Sequence, residues 1–283
     1  MNALLFDVGG TNMRISVASR ISDFKNAVIV PTPKRFTDGI TTIIKHAHML
    51  AHGKRITTVV GGIAGTLSKK RDTFVNSPHV SGWIGKPIKS SLIKAFRVPV
   101  TLENDADIVG LGEAVYGAGR PYRIVAYITV STGIGGTRIV DRHLDTVAYG
   151  FEPGHMVIDP NGPSYHRQHL HGDLETMVSG EALSAKYHRP PYTITSPRVW
   201  RQQAELLAYG LVNVVVMWSP DVIVLGGSMF KKVGIDVAQV RRMLEDNLRG
   251  FYPAPKVAKG TLGDIGGLYG AFHLAKTIKR PRA

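Results

Sequence analysis

The stretch Ala3-Leu-Leu-Phe-Asp-Val-Gly-Gly-Thr-Asn-Met-Arg-Ile-Ser-Val-Ala18 recurs, loosely, as Ala126-Tyr-Ile-Thr-Val-Ser-Thr-Gly-Ile-Gly-Gly-Thr-Arg-Ile-Val140. Each copy is an apolar β-prone run, a glycine-rich polar turn and a second β-prone run. A chain that builds this hairpin twice, about half its length apart, is expected to form two related lobes facing one cleft. Two turns rich in backbone N–H and hydroxyl groups, one per lobe, suit a polyphosphate gripped from both sides.

The turns are not the better-known nucleotide motifs. A P-loop ends in Gly-Lys-Ser/Thr before a helix, and a dinucleotide fingerprint also runs from strand into helix. Here Ile15–Ala18 and Thr137–Val140 continue as strand. Glycine at Gly9, Gly10, Gly133, Gly135 and Gly136 opens backbone angles closed to other residues and lets phosphate oxygens approach. The same glycines also fit a pair of tight hairpins with no ligand.

Composition bounds the rest. The chain has 283 residues, 43% of them hydrophobic, which is ample for two domains and excludes disorder. With no cysteine there is no disulfide and no thiolate metal site. The first strand starts at Ala3 and holds Asp7, so no signal peptide is expected. The longest apolar stretch, Leu206 to Trp218, is too short for a membrane span. A soluble cytoplasmic protein is the expectation. The formal charge of +14, from 35 basic and 21 acidic residues, favours polyanions: nucleotide phosphates, inorganic polyphosphate or nucleic acid. No aromatic–basic interleaving or helix-turn-helix pattern supports nucleic acid.

An α/β fold follows from the pattern along the chain. After the first hairpin come a strand near Asn26–Pro31, a helix over Gly39–Gly53 and a buried strand Ile56–Ile63. A short helix Lys89–Phe96 and a strand Val98–Leu102 follow, closing a first lobe at residues 1–105. The second lobe, 106–265, is expected to hold a helix Ala106–Tyr116 and the second hairpin. After these come an irregular stretch 150–173, a helix Leu174–Tyr187, a long helix Trp200–Trp218 and a strand Val222–Leu225. A final helix Gly266–Lys279 is expected to return to the first lobe and complete it.

Several side chains in this frame carry chemistry. Asp7 ends the first strand, where a carboxylate orients Mg²⁺ beside phosphates, often through water. Thr11 donates to phosphate oxygens, and Arg14 pairs with phosphate or buttresses Asp7. Ser131 and Thr132 offer the matching donors from the second hairpin. Asp105, in Glu103-Asn104-Asp105 at a strand-to-helix junction, reads either as a helix N-cap or as a general base toward a substrate hydroxyl. Glu152-Pro-Gly-His155 and Glu175 offer acceptors for a polyol, with Gly65 and Asn104 contributing from the first lobe. The run His166-Arg-Gln-His169-Leu-His171-Gly-Asp173, with His155 upstream, is a candidate zinc loop whose spacing matches no established zinc pattern. Val222-Ile-Val-Leu-Gly-Gly-Ser228 ends a buried strand in Gly226 and Gly227, a turn flat enough for an adenine ring.

These pieces, in this order, resemble the ROK family of sugar kinases, built on the actin-like, ribonuclease-H-like ATPase fold. Asp7-Val-Gly9-Gly10-Thr11-Asn12-Met-Arg14 is similar to the family's first phosphate motif. Ser77-Pro-His79-Val-Ser-Gly-Trp83 is similar to its Pro-Asn-Leu-Pro-Gly-Trp segment, with His79 at the sugar-contacting asparagine. Glu103-Asn-Asp-Ala106 with Gly112-Glu113 resembles the block holding the catalytic aspartate, which falls on Asp105. Thr129 to Gly136 resembles the second phosphate motif, Glu152–His155 the sugar site and Val224–Gly227 the adenosine motif. The resemblance implies two ribonuclease-H-like lobes around a central cleft, an ATP-dependent hexokinase with Mg²⁺, and a homodimer. Glucose is the expected acceptor, with other hexoses, polyphosphate as donor, and a non-catalytic sugar-binding regulator as alternatives. The family's Cys-x-Cys-Gly-x-x-Gly-Cys-x-Glu zinc block is represented here by His166 to Glu175, so a zinc ion, if retained, would be re-ligated by His155, His166, Asp173 and a neighbour.

Overall fold

The computed structural model describes residues 1–77, 80–162 and 172–277. In chain order its strands and helices begin with β1 Ala3–Val8, β2 Asn12–Ala18, β3 Val28–Pro31, α1 Phe36–Ala51, β4 Thr58–Ile63, β5 Thr66–Leu67 and β6 Phe74–Asn76. There follow α2 Ile88–Phe96, β7 Val100–Asn104, α3 Asp105–Tyr116, β8 Ile124–Val130, β9 Ile134–Val140 and β10 His143–Leu144. The remainder is α4 Leu174–Val178, α5 Gly180–Tyr187, α6 Pro197–Trp218, β11 Val222–Gly226, α7 Val237–Asn247, β12 Lys256–Lys259 and α8 Gly266–Thr277.

The chain divides into two compact units. The first comprises Met1–Tyr116, Thr146–Gly150 and the segment from Leu262; the second comprises Gly117–Asp145 and Phe151–Thr261. The first holds a sheet in the order β3-β2-β1-β4-β7, the second a sheet in the order β10-β9-β8-β11-β12. In each, an antiparallel meander of three strands continues into two parallel ones. Parallel neighbours need long crossovers, and helices supply them.

β1 shows why its run is continuously apolar. Leu4, Phe6 and Val8 enter a core with Ile40, Ile43 and Leu92 of α1 and α2. Ala3 and Leu5 enter a second core with Leu268, Ala271 and Phe272 of α8. Both faces are covered, so no polar alternation survives. In the second unit Ala126, Ile128 and Val130 pack with Leu207, Leu211 and Val214 of α6.

The boundary between units falls after Tyr116, not after Asp105. Helix α3 lies so close to α8 that a Cβ on Gly112 would sit 2.5 Å from the Gly266 carbonyl, and one on Gly270 1.7 Å from that of Ile108. Only glycine permits that approach, and it ties α3 to the first unit. Three further differences have local causes. The expected helix Leu174–Tyr187 is broken at Ser179, whose hydroxyl accepts the Ala182 N–H at 3.1 Å and caps α5. The long helix starts earlier, at Pro197, where a missing N–H costs nothing. Helix α7 and edge strand β12 were not expected. The first buries little beyond Val240 and Leu244, and the second, Lys256-Val-Ala-Lys259, carries the lysines that protect a sheet edge. Among the described residues no helix is long and apolar enough to cross a membrane.

Candidate functional site

In the first unit, the turn Gly9-Gly10-Thr11 joins β1 to β2 and is braced from the end of β3. The Thr32 hydroxyl donates to the Gly9 carbonyl at 2.7 Å, and the Thr32 N–H to the Thr11 carbonyl at 2.9 Å. Gly10 and Thr11 are exposed, and Asn12 starts β2. Behind the turn, Asp7 is buried, paired in register with Arg14, whose Nη1 lies 3.6 Å from Oδ2. The first turn of α8 presses on it, since a Cβ on Gly267 would fall 2.8 Å from Oδ2. Burial first, and then the charge of Asp105, push the Asp7 pKa up to about 7 against the pull of Arg14.

Asn104 and Asp105 sit where β7 passes into α3. The Asn104 amide donates to the Gly65 carbonyl at 3.0 Å, and its carbonyl accepts the Ala106 N–H at 2.8 Å. Gly65 itself needs glycine: its φ is +132°, and a Cβ would lie 2.4 Å from the Asn76 carbonyl. Asp105 opens the helix, half-buried, with Oδ1 accepting the same Ala106 N–H at 2.9 Å. Just upstream, Arg71 forms an ion pair with the buried Glu103. His79 lies outside the described residues.

In the second unit, the turn Ser131-Thr132-Gly133 joins β8 to β9 and is held from several sides. The N–H groups of Gly180 and Glu181, opening α5, donate to the carbonyls of Ser131 (2.7 Å) and Thr132 (3.0 Å). The Ser131 and Ser228 hydroxyls are 2.9 Å apart. The Ile134 N–H donates to Glu175 Oε2 at 2.5 Å, and a Cβ on Gly133 would stand 2.6 Å from that oxygen. Gly135 and Gly136, expected in the turn, lie within β9. Gly136 is required there because a Cβ would come within 2.7 Å of the Tyr127 carbonyl and 2.8 Å of the Pro153 ring.

Glu152 and His155 flank a single helical turn, Pro153–His155, and are both exposed. His155 Nδ1 lies 3.1 Å from Asp173 Oδ2, while Asp173 Oδ1 caps α4 by accepting the Thr176 N–H at 2.7 Å. The Asp173 bond, opposed by burial and aided by the charges of Glu175, Asp173 and Glu152, raises the His155 pKa. Burial pushes Asp173 upward, but the bonds from His155 and Thr176 outweigh it and its pKa is lowered. Glu152, His155 and Glu175 are thus brought into one electrostatic neighbourhood. His166 lies outside the described residues, and among those described no group of three His, Asp or Glu side chains is placed to hold a metal ion. Gly226 ends β11 beside β8 and Gly227 follows it with φ +101°, where a Cβ would sit 2.2 Å from the Val130 carbonyl.

Sequence reading missed Thr32, Arg71 and Gly267. None carries a local signal, because each acts on a residue distant in the chain.

The model of the ROK family matches residues 4–278. A glucokinase of Streptomyces coelicolor is 26% identical to this chain, covering 95% of it and 96% of that protein. The ROK hexokinase of Thermus thermophilus has a crystal structure that superposes with TM-score 0.84 at 28% identity, covering 98% of this chain and 99% of that one. A ROK family glucokinase of Streptomyces griseus, crystallised with glucose and AMPPNP, superposes with TM-score 0.81 at 23% identity, again over 98% and 99%. The α/β fold is therefore the actin-like ATPase fold of the ROK kinase structures. With the family's model matched from the first strand to the last helix, the chain belongs to the ROK family.

Proposed function

We propose that the protein is an ATP-dependent hexokinase that phosphorylates a hexose, glucose at its C6 hydroxyl being the expected acceptor. Similarity over nearly the whole chain to a glucokinase and a hexokinase supports the reaction class. The contrast between Asp7 and Asp105 carries the assignment of roles. One carboxylate is buried and short of positive charge; the other is half-buried and fixed at a strand-to-helix junction. Two carboxylates held in such different environments suit different tasks.

Asp105 accepts the proton of the sugar hydroxyl as that oxygen bonds to the γ-phosphorus. The bond from the γ-phosphorus to the bridging oxygen breaks, and ADP leaves with its electron pair. The Ala106 N–H on Oδ1 sets the carboxylate's orientation. Glu152, His155, Glu175 and Asn104 contact sugar hydroxyls, and the turns Gly9–Thr11 and Ser131–Gly133 donate to phosphate oxygens. A Mg²⁺ ion fits Asp7, whose carboxylate is desolvated by burial, repelled by Asp105 and only partly offset by Arg14 at 3.6 Å, so a further cation would favour its charged form. Bound there with ATP, Mg²⁺ supplies charge neutralisation on the phosphates.

The test is ADP release with Mg·ATP across glucose, fructose, mannose, N-acetylglucosamine, N-acetylmannosamine and allose. One sugar should raise turnover well above the sugar-free rate; stimulation by none would remove ATP as the donor, and failure with polyphosphate as well would remove the kinase assignment. Asp105→Asn should cut kcat by about 10²–10⁴-fold with sugar affinity near normal. Turnover comparable to wild type would take Asp105 out of the role. The charge of +14 favours a second donor, inorganic polyphosphate, and failure of polyphosphate to replace ATP would end that alternative.

A further inference from the structure

The stretch similar to the family's cysteine-rich zinc block has no thiolate to offer, because the chain has no cysteine. Asp173 stands two residues before Glu175, where that block has its last cysteine. Its side chain is inaccessible to solvent, and both oxygens are committed within the protein. Oδ1 accepts the Thr176 N–H at 2.7 Å and Oδ2 faces His155 Nδ1 at 3.1 Å. A carboxylate accepts, so Nδ1 carries the hydrogen, and a protonated ring nitrogen has no lone pair for a metal. With Nδ1 so engaged, Nε2 is an acceptor in the neutral ring and a donor in the imidazolium that the Asp173 bond favours.

Backbone pairing fixes both ends of this bond. Val157 bridges to Asp173, the Leu174 N–H donates to the Met156 carbonyl at 2.9 Å, and the Ile158 N–H donates to that of Gly172 at 2.9 Å. His155 ends a helical turn whose Gly154 touches Ile134, where a Cβ would lie 2.4 Å from the carbonyl. Among the described residues, the donors at His155 and Asp173 are therefore committed to each other and to Thr176 rather than grouped around a metal ion.

We propose that a direct His155–Asp173 hydrogen bond orients the imidazole in this chain in place of a metal, and that Asp173 is a positioning residue for His155. The consequence for sugar binding rests on the kinase assignment above; the consequence for metal content does not.

The experiment has a metal arm and a kinetic arm. Protein purified without metal-affinity resin is expected to hold below about 0.1 zinc per chain by plasma mass spectrometry. Its thermal midpoint is expected to be the same with and without a zinc chelator. About one zinc per chain, lost to chelator with a fall in the midpoint, overturns the proposal. In the kinetic arm, Asp173→Asn keeps an oxygen for the Thr176 N–H, so α4 stays capped, but loses the charged acceptor for His155. The sugar KM should rise about 10–100-fold, as for other groups that orient a ligand-binding histidine, with kcat within a few-fold of wild type. A zinc-free protein in which Asp173→Asn leaves KM unchanged overturns the positioning role. If wild type turns over no sugar, the kinase assignment fails, and zinc content and chelator response alone decide the metal replacement.

Discussion

The two hairpin turns have the same length and the same place in the same sheet topology, yet they are built to opposite plans. Gly9-Gly10-Thr11 has, among the described residues, a brace from Thr32 and a buried carboxylate behind it. Ser131-Thr132-Gly133 has no acid behind it in its strand, but is fastened to α5, Ser228 and Glu175. Topology repeated the scaffold; the side chains divided the work. In the proposed reaction the first turn supplies charge, and its Asp7 is held by strand register, which needs few extra bonds. The second would supply a fixed set of donors, and fixing a turn takes many bonds from outside it.

The largest expected effect removes the charge from the first turn. Asp7→Asn should lower turnover by about 10²–10⁴-fold under saturating substrates, because the amide offers no negative charge to a divalent cation. Retained activity would mean that the first turn, like the second, contributes only donors.

The same substitution should help the fold, and by an amount that depends on pH. The folded pKa of about 7 lies above the ordinary 3.8, so between those values the folded chain binds more protons than the unfolded one. Wild-type stability therefore falls as pH rises through that window, by at most about 1.4 kcal/mol per unit. Asp7→Asn escapes this loss. Its thermal midpoint should match wild type near pH 4 and exceed it near pH 8, measured without Mg²⁺. An equal difference at both pH values would mean that Asp7 titrates as an ordinary aspartate.

A matched pair of glycine substitutions probes the bracing. At Gly133 a Cβ meets Glu175 Oε2 at 2.6 Å, so alanine must displace the carboxylate from the Ile134 N–H. Losing a hydrogen bond to a charged group should cost about 1.5–3 kcal/mol. At Gly9 the nearest atom to a Cβ is the Asn12 carbonyl at 3.3 Å, a tight contact offset by the entropy alanine removes from the unfolded chain. Gly9→Ala should change stability by less than about 1 kcal/mol. Denaturant midpoints that rank the two the other way would refute the assignment of rigidity to the second turn.

What the sequence made legible follows the same division. The places of Asp7, Asn104 and Asp105 in the fold were readable because each lies at or beside the end of a strand, and strand ends show as the limit of an apolar run. The hairpins were readable because both faces of β1 and β8 are covered. Bracing was not. Thr32 lies 23 residues from Gly9 and Ser228 lies 97 from Ser131, and a contact across such separations leaves no local pattern. Periodicity also misled at Ser179, where apolar spacing runs on through a capped break, and the glycine run was read as one turn although Gly135 and Gly136 lie within β9. The hydrogen bond between the Asn104 amide and the Gly65 carbonyl, 39 residues apart, was likewise not legible.

The smallest expected effects compare single hydroxyls. Thr32→Val is nearly isosteric and removes the 2.7 Å bond to the Gly9 carbonyl, while the backbone bond from Thr32 to Thr11 remains. Gly9 is only half-buried, so water replaces part of what is lost and the stability cost should be about 0.5–1 kcal/mol. The turn itself has no side-chain brace of comparable length to fall back on among the described bonds, so the KM for ATP should rise a few-fold. Ser228→Ala breaks the 2.9 Å contact with Ser131, but the Gly180, Glu181 and Glu175 bonds still hold that turn. Its effect on the ATP KM should therefore be the smaller of the two. Reversal of that order would mean that the second turn depends on its serine pair rather than on its helix.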